Sequence, residues 1–163
     1  MTDPHLSARL LERMRPWGRR ASWAVWDADD VSFPDQPVGL HTRVVVLTFN
    51  RPHDEDEPDA EPWLNVHTSR RGHDHFLARA LRGTPAWGGY LTSLQDVPGE
   101  ALAEELRTLG AHDPLVLLVG GKARDQVLRG LDVVAPALGT TPGSLRWVDL
   151  PHFSGMAARV HGS

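Results

Sequence analysis

Val44-Val45-Val46-Leu47 runs directly into Thr48-Phe49-Asn50-Arg51-Pro52. Four consecutive apolar residues leading into a polar turn predict a central strand buried on both faces, with the polar residues marking its exit from the core. In open α/β sheets the carboxyl ends of such strands are where ligands bind. What the rest of the chain brings to the end of this strand is therefore the question that organises it.

Around the strand, helical and extended patterns alternate. Leu6, Leu10, Leu11 and Met14 recur at helical spacing, so residues 5–15 predict an amphipathic helix stopped by Pro16. Ser22-Trp23-Ala24-Val25-Trp26 is a short apolar segment whose tryptophans read as core or edge packing, and residues 27–42 read as a connection. After the strand, six of the eight positions Asp54 to Glu61 are acidic, which reads as a solvated loop. Phe76, Leu77, Ala80 and Leu81 share one face of a helix over 72–82, closed by Gly83. A second strand follows at 88–94, then a helix at 98–109 opened by Pro98 and closed by Gly110. Leu115 to Val119 is a third strand ending in Gly120-Gly121, residues 123–131 a helix, Leu145 to Leu150 a fourth strand, and Ser154 to Val160 the start of a last helix. The expected fold is a three-layer α/β/α domain around a mainly parallel four-stranded sheet. No repeat or low-complexity linker divides the chain, so 1–163 is expected to be one domain, with a helical or irregular part at 1–42 and the core at 43–160.

Composition narrows the chemistry. The chain has no cysteine, which excludes disulfides, thiolate metal sites and cysteine nucleophiles. The first fifteen residues carry no signal-type apolar core, and no apolar run approaches the ~20 residues of a membrane span. A cytoplasmic monomer with no membrane partner is the expectation. The net charge of −4 gives no global basic footprint for nucleic acid, but leaves room for a local patch of cations.

In a parallel sheet, the four strand ends Asn50-Arg51-Pro52, Thr92-Ser93, Gly120-Gly121-Lys122 and Pro151-His152-Phe153-Ser154-Gly155 fall along one rim. Taken in order, these segments resemble the uracil-DNA glycosylase superfamily. Its members pair a first motif after strand one, of the type Gly-x-Asn/Asp-Pro, with a carboxyl-terminal motif such as His-Pro-Ser. The similarity covers roughly residues 43–160, and departs from the pattern at Thr48-Phe49, at Ser93 and at Phe153.

The resemblance implies hydrolysis of the N-glycosidic bond of uracil, or another deaminated or damaged base, in single- or double-stranded DNA, without metal or organic cofactor. Such a reaction needs a positioned water, stabilisation of the departing anionic base, and a pocket that takes the base out of the stack. By resemblance Asn50 would orient the water and His152 would donate to the base carbonyl. Phe49, Trp63, Thr92 and Ser93 would receive the base. Met156 would be the wedge filling the vacated stack. Arg51, Arg70, Arg71, Lys122, Ser154, Gly155 and Arg159 would hold the DNA backbone. Singly, each has a plainer reading: Asn50 as a turn former, Trp63 as packing, Met156 as an apolar residue at a helix start.

Two rival readings stand beside it. A non-catalytic member of the same fold would bind nucleic acid or nucleotide. Alternatively, His67, His73, Asp74 and His75, with His53 beside acidic residues, suggest a metal-dependent hydrolase, although zinc wants three or four converging ligands.

Overall fold

A computed structural model describes residues 4–25, 33–49, 63 and 74–151 of the chain. In order these form α1 (Pro4–Arg13), a 3₁₀ turn (Arg15–Trp17), β1 (Ala21–Trp23), β2 (Val44–Thr48), α2 (Asp74–Leu81), β3 (Tyr90–Ser93), α3 (Gly99–Leu109), β4 (Leu115–Val119), α4 (Gly121–Arg129), α5 (Leu131–Ala137) and β5 (Arg146–Leu150). The five strands make one sheet of order β1-β3-β2-β4-β5. β2 is central as its composition demands, with all five residues buried. β3, β2, β4 and β5 run parallel, and β1 adds antiparallel to β3.

The sheet thus has five strands where four were expected. The fifth comes from the apolar segment around Trp23. Three residues are too few to show a period of two, and the pairing that makes them a strand comes from β3: Ala21, Ser22 and Trp23 lie opposite Thr92, Leu91 and Tyr90. Residues before 43 are part of the core, because Leu10, Met14, Ala21 and Trp23 are all buried in it.

Alternation along the strands sends side chains to two apolar layers. Val45, Leu47, Tyr90, Val116 and Leu118 pack with α1, α3, α4 and α5, through residues such as Leu10, Leu106, Val127 and Val134. Val44, Val46, Leu91, Leu117 and Val119 pack with α2, through Leu77, Ala78 and Leu81. Leu77 and Leu81 of the expected stripe are buried, but Ala78 is buried with them and Ala80 is exposed. The helix expected over 123–131 is α4, set two residues earlier, and an unexpected second helix, α5, follows it after Gly130 and carries Pro136 inside it. The expected helix from Ser154 lies outside the described residues.

The connections fix where a cleft belongs. The step from β2 to β3 goes one way along the sheet with α2 on one face. The step from β3 to β4 goes back past β2, with α3 on the other face. Opposite steps with helices on opposite faces keep a single hand of crossover. The chain therefore leaves β2 and β4 in opposite directions, and their carboxyl ends flank the topological switch point.

Candidate functional site

Register aligns the rim. Ser93 pairs with Thr48, Thr48 with Val119, and Val119 with Leu150, so one row crosses the four parallel strands at their carboxyl ends. At about 4.8 Å between strands the row spans about 14 Å. The row shares the face of α2, since Ser93 and Thr48 follow the alternation of Leu91 and Val46. Phe49 and Leu94, the residues after Thr48 and Ser93, turn to the face of α3 to α5.

Phe49, Ser93 and Lys122 come together at the switch point. The Ser93 hydroxyl donates to the Phe49 carbonyl at 3.2 Å, and the Leu94 N–H donates to the Thr48 carbonyl at 2.8 Å, tying the ends of β2 and β3. Phe49 is half-buried, and the Lys122 ammonium stands 5.3 Å from the centre of its ring, within the range of a cation–π contact. Lys122 is in the first turn of α4, which opens after Gly120. That glycine sits at φ +91°, a conformation a side chain would strain, and its N–H donates to the Leu150 carbonyl at 2.9 Å. A lysine and the amino end of a helix at one strand end form a cationic corner suited to an anionic group.

Thr92 and Trp63 lie elsewhere. Thr92 is fully buried one residue before the rim, and its hydroxyl donates to the Arg20 carbonyl at 3.4 Å. Trp63, 8% exposed, sits beside β1 with ring centroids 6.4 Å from both Trp23 and Phe33. Its N–H donates to the Gly18 carbonyl, and its own carbonyl accepts from the Ser22 hydroxyl, both at 2.8 Å. Asn50, Arg51, Arg70, Arg71, His152, Ser154, Gly155, Met156 and Arg159 lie outside the described residues. So do His53, His67 and His73 of the metal reading. Among the described residues no three His, Asp or Glu are grouped to hold a metal ion.

Three further residues shape the rim that the sequence reading did not assign to the site. Arg124, in the first turns of α4, lies 3.5 Å from the Asp149 carboxylate of β5, and its hydrogen bond to Asp125, reinforced by the two carboxylate charges, raises its pKa. The Gln126 side-chain amide donates to the Leu94 carbonyl at 3.1 Å, fastening α4 to the loop after β3. Thr48 is fully buried, and its hydroxyl has no hydrogen-bond partner among the described residues. A polar residue closing an apolar strand was the visible signal for Thr48. Arg124 and Gln126 carry none, because their partners are 25 and 32 residues away in the chain.

No family model, curated protein or solved structure matches this chain.

Proposed function

We propose that the chain is a DNA base-excision glycosylase that hydrolyses the N-glycosidic bond of uracil, or another deaminated or damaged base, after flipping it from the stack. One observation carries the reading: the four strands that lead in sequence into the segments resembling glycosylase motifs end in a single row at the topological switch of a mostly parallel sheet. In sequence, Asn50 comes two residues after Thr48, which ends β2, and His152 two residues after Leu150, which ends β5. In this reading Asn50 orients the attacking water, and a neutral His152 offers its N–H to the base carbonyl as negative charge develops. Phe49 supplies an apolar surface at the mouth, and Lys122 beside the start of α4 takes a backbone phosphate.

The test is release of uracil, hypoxanthine and xanthine from labelled oligonucleotides, single- and double-stranded, with and without chelator. Release of one base is expected, with Asn50→Ala and His152→Ala each slowing it by about 10²–10³-fold. Release indifferent to both substitutions refutes the mechanism. A second reading, a binder of nucleic acid or nucleotide without catalysis, is favoured by one contact. Ser93, the residue matched to the base reader, donates its hydroxyl hydrogen to the Phe49 carbonyl. DNA binding without base release, unchanged by Asn50→Ala, decides for it.

A further inference from the structure

β5 is the barest element of the fold. Four of its five residues are exposed, Trp147 at 38% and Val148 at 45%, and it lies at the end of the sheet with β4 on one side. Its charged side chains are already engaged within the chain. The Arg146 guanidinium donates to the Asp113 carbonyl at 2.7 Å, and Asp149 has Arg124 beside it. What remains is backbone and apolar surface. The Leu150 carbonyl accepts from Gly120 beyond β4, so the backbone groups of Leu150, Val148 and Arg146 point toward β4. Strand geometry then points the N–H and C=O of Trp147 and Asp149 outward. No hydrogen bond among the described residues uses those four groups. An edge of this kind usually carries a lysine, proline or bulge within it, and β5 has none.

We infer that β5 is a pairing edge for a second copy of this chain, joined antiparallel about a two-fold axis through Val148. Side chains dictate that register. Residues opposite one another share a face, so a two-fold axis normal to the sheet must pass through a residue that pairs with itself. Val148 is the midpoint of the strand, and pairing there overlaps all five residues. Trp147 then lies opposite Asp149 of the second copy in both symmetric positions. All eight outward groups are satisfied by four hydrogen bonds.

The charges suit a copy as partner. Each strand brings one arginine and one aspartate, so the seam is neutral. Arg146 falls opposite Leu150, and each Asp149, with Arg124 beside it, falls opposite an indole, so no like charges stand directly opposed. Val148 meets its own symmetry mate on the face of α2, extending the apolar row from Leu117. The sheet becomes ten strands, with the two rims at opposite ends and both open. This departs from the monomer that composition suggested.

The chain has no cysteine, so Val148→Cys introduces a unique thiol. A self-paired, non-hydrogen-bonded site places the two Cα atoms about 4.5 Å apart, within disulfide reach. Light scattering of the wild type across a concentration series should give a dimer, and Val148→Lys, which opposes two ammonium groups, a folded monomer. Mild oxidation should cross-link Val148→Cys at least tenfold faster than Val38→Cys, a reference thiol at a site 61% exposed. A wild type that is monomeric throughout the series overturns the inference, and so does cross-linking at 148 no faster than at 38. An edge meant for an extended segment of another protein gives that same monomeric result.

Discussion

Replacing Tyr90 by Phe removes one oxygen from the interior and tests how the sheet is fastened to α3. Glu105 of α3 has a fully buried side chain. One carboxylate oxygen receives the Arg20 Nη2 and Nε at 2.8 and 3.1 Å, and the other receives the Tyr90 hydroxyl at 2.7 Å. Arg20 neutralises the charge, and Tyr90 satisfies the remaining oxygen. The phenyl ring of the variant keeps the edge-on contact with Trp23, whose centroid is 4.9 Å away, so packing is conserved and the hydrogen bond is isolated. A hydrogen bond to a charged group contributes about 1.5–3 kcal/mol, and here the carboxylate oxygen left behind is out of reach of bulk water. Tyr90→Phe should therefore cost about 2–3 kcal/mol in urea unfolding at pH 7, with the m-value unchanged. At roughly 2–4 °C per kcal/mol for a chain of this size, Tm should fall by about 4–12 °C.

The same contact sets an alkaline signature. Burial, and then the Glu105 charge, hold the Tyr90 phenol well above its ordinary pKa of 10.0. Above that pH the unfolded chain releases the proton and the folded chain keeps it, so the wild type loses stability as pH rises. The gap between wild type and Tyr90→Phe should be full below pH 10 and shrink above it. A loss under about 0.5 kcal/mol at pH 7, or a gap that widens in alkali, refutes the account.

Three further substitutions probe the amino-terminal end of the sheet. At Gly88, φ is +88° and an added Cβ would run into the Gly39 carbonyl oxygen, whereas at Gly83, φ +79°, it would meet nothing within 4 Å. Gly88→Ala should cost more than about 2 kcal/mol and Gly83→Ala about 1, read as the difference in thermal unfolding. Equal effects would sink the steric argument. The buried His41 accepts the Arg43 N–H on Nδ1 at 3.2 Å, which leaves Nε2 to donate to the Trp87 carbonyl at 2.8 Å, the arrangement of a neutral ring. Burial lowers its pKa from 6.5, so its contribution is complete above pH 6.5 and lost as pH falls through the depressed value. The acid limb of a stability–pH profile should be shallower in His41→Gln, and a parallel profile would show that the ring does not titrate with unfolding.

The parts legible in the sequence are those whose signal is local. β2 and β4 are apolar runs that need no partner to be recognised, and α3 announces itself through Leu102, Leu106 and Leu109 closed by Gly110 in the left-handed conformation. β1 was not legible as a strand because its identity depends on a ladder with residues 90–92. α5 was hidden by Pro136, which reads as a breaker although the helix continues around it. At the rim, the polar exit of β2 and the Gly-Gly-Lys opening of α4 were readable. The meeting of Lys122 with the Phe49 ring joins residues 73 apart, and no spacing rule reaches that far. Trp63 shows the reverse difficulty. An indole has the same composition signal in a core as in a pocket, and only its place beside Trp23 and Phe33 tells which surfaces it meets.

The central position of β2 also has a consequence in time. Val45 pairs with Tyr90 and Val116, which are 45 and 71 residues further along the chain. At roughly 5–20 residues per second of synthesis, the central strand of the sheet waits about 2–9 s for its first neighbour and longer for its second. The segment made during that wait begins with the acidic run from Asp54 to Glu61. Charges flanking an unpartnered apolar strand oppose its pairing with other nascent chains. The run needs no ligand to be useful, since like-charge repulsion at the ribosome exit would guard the strand on which the finished sheet is built.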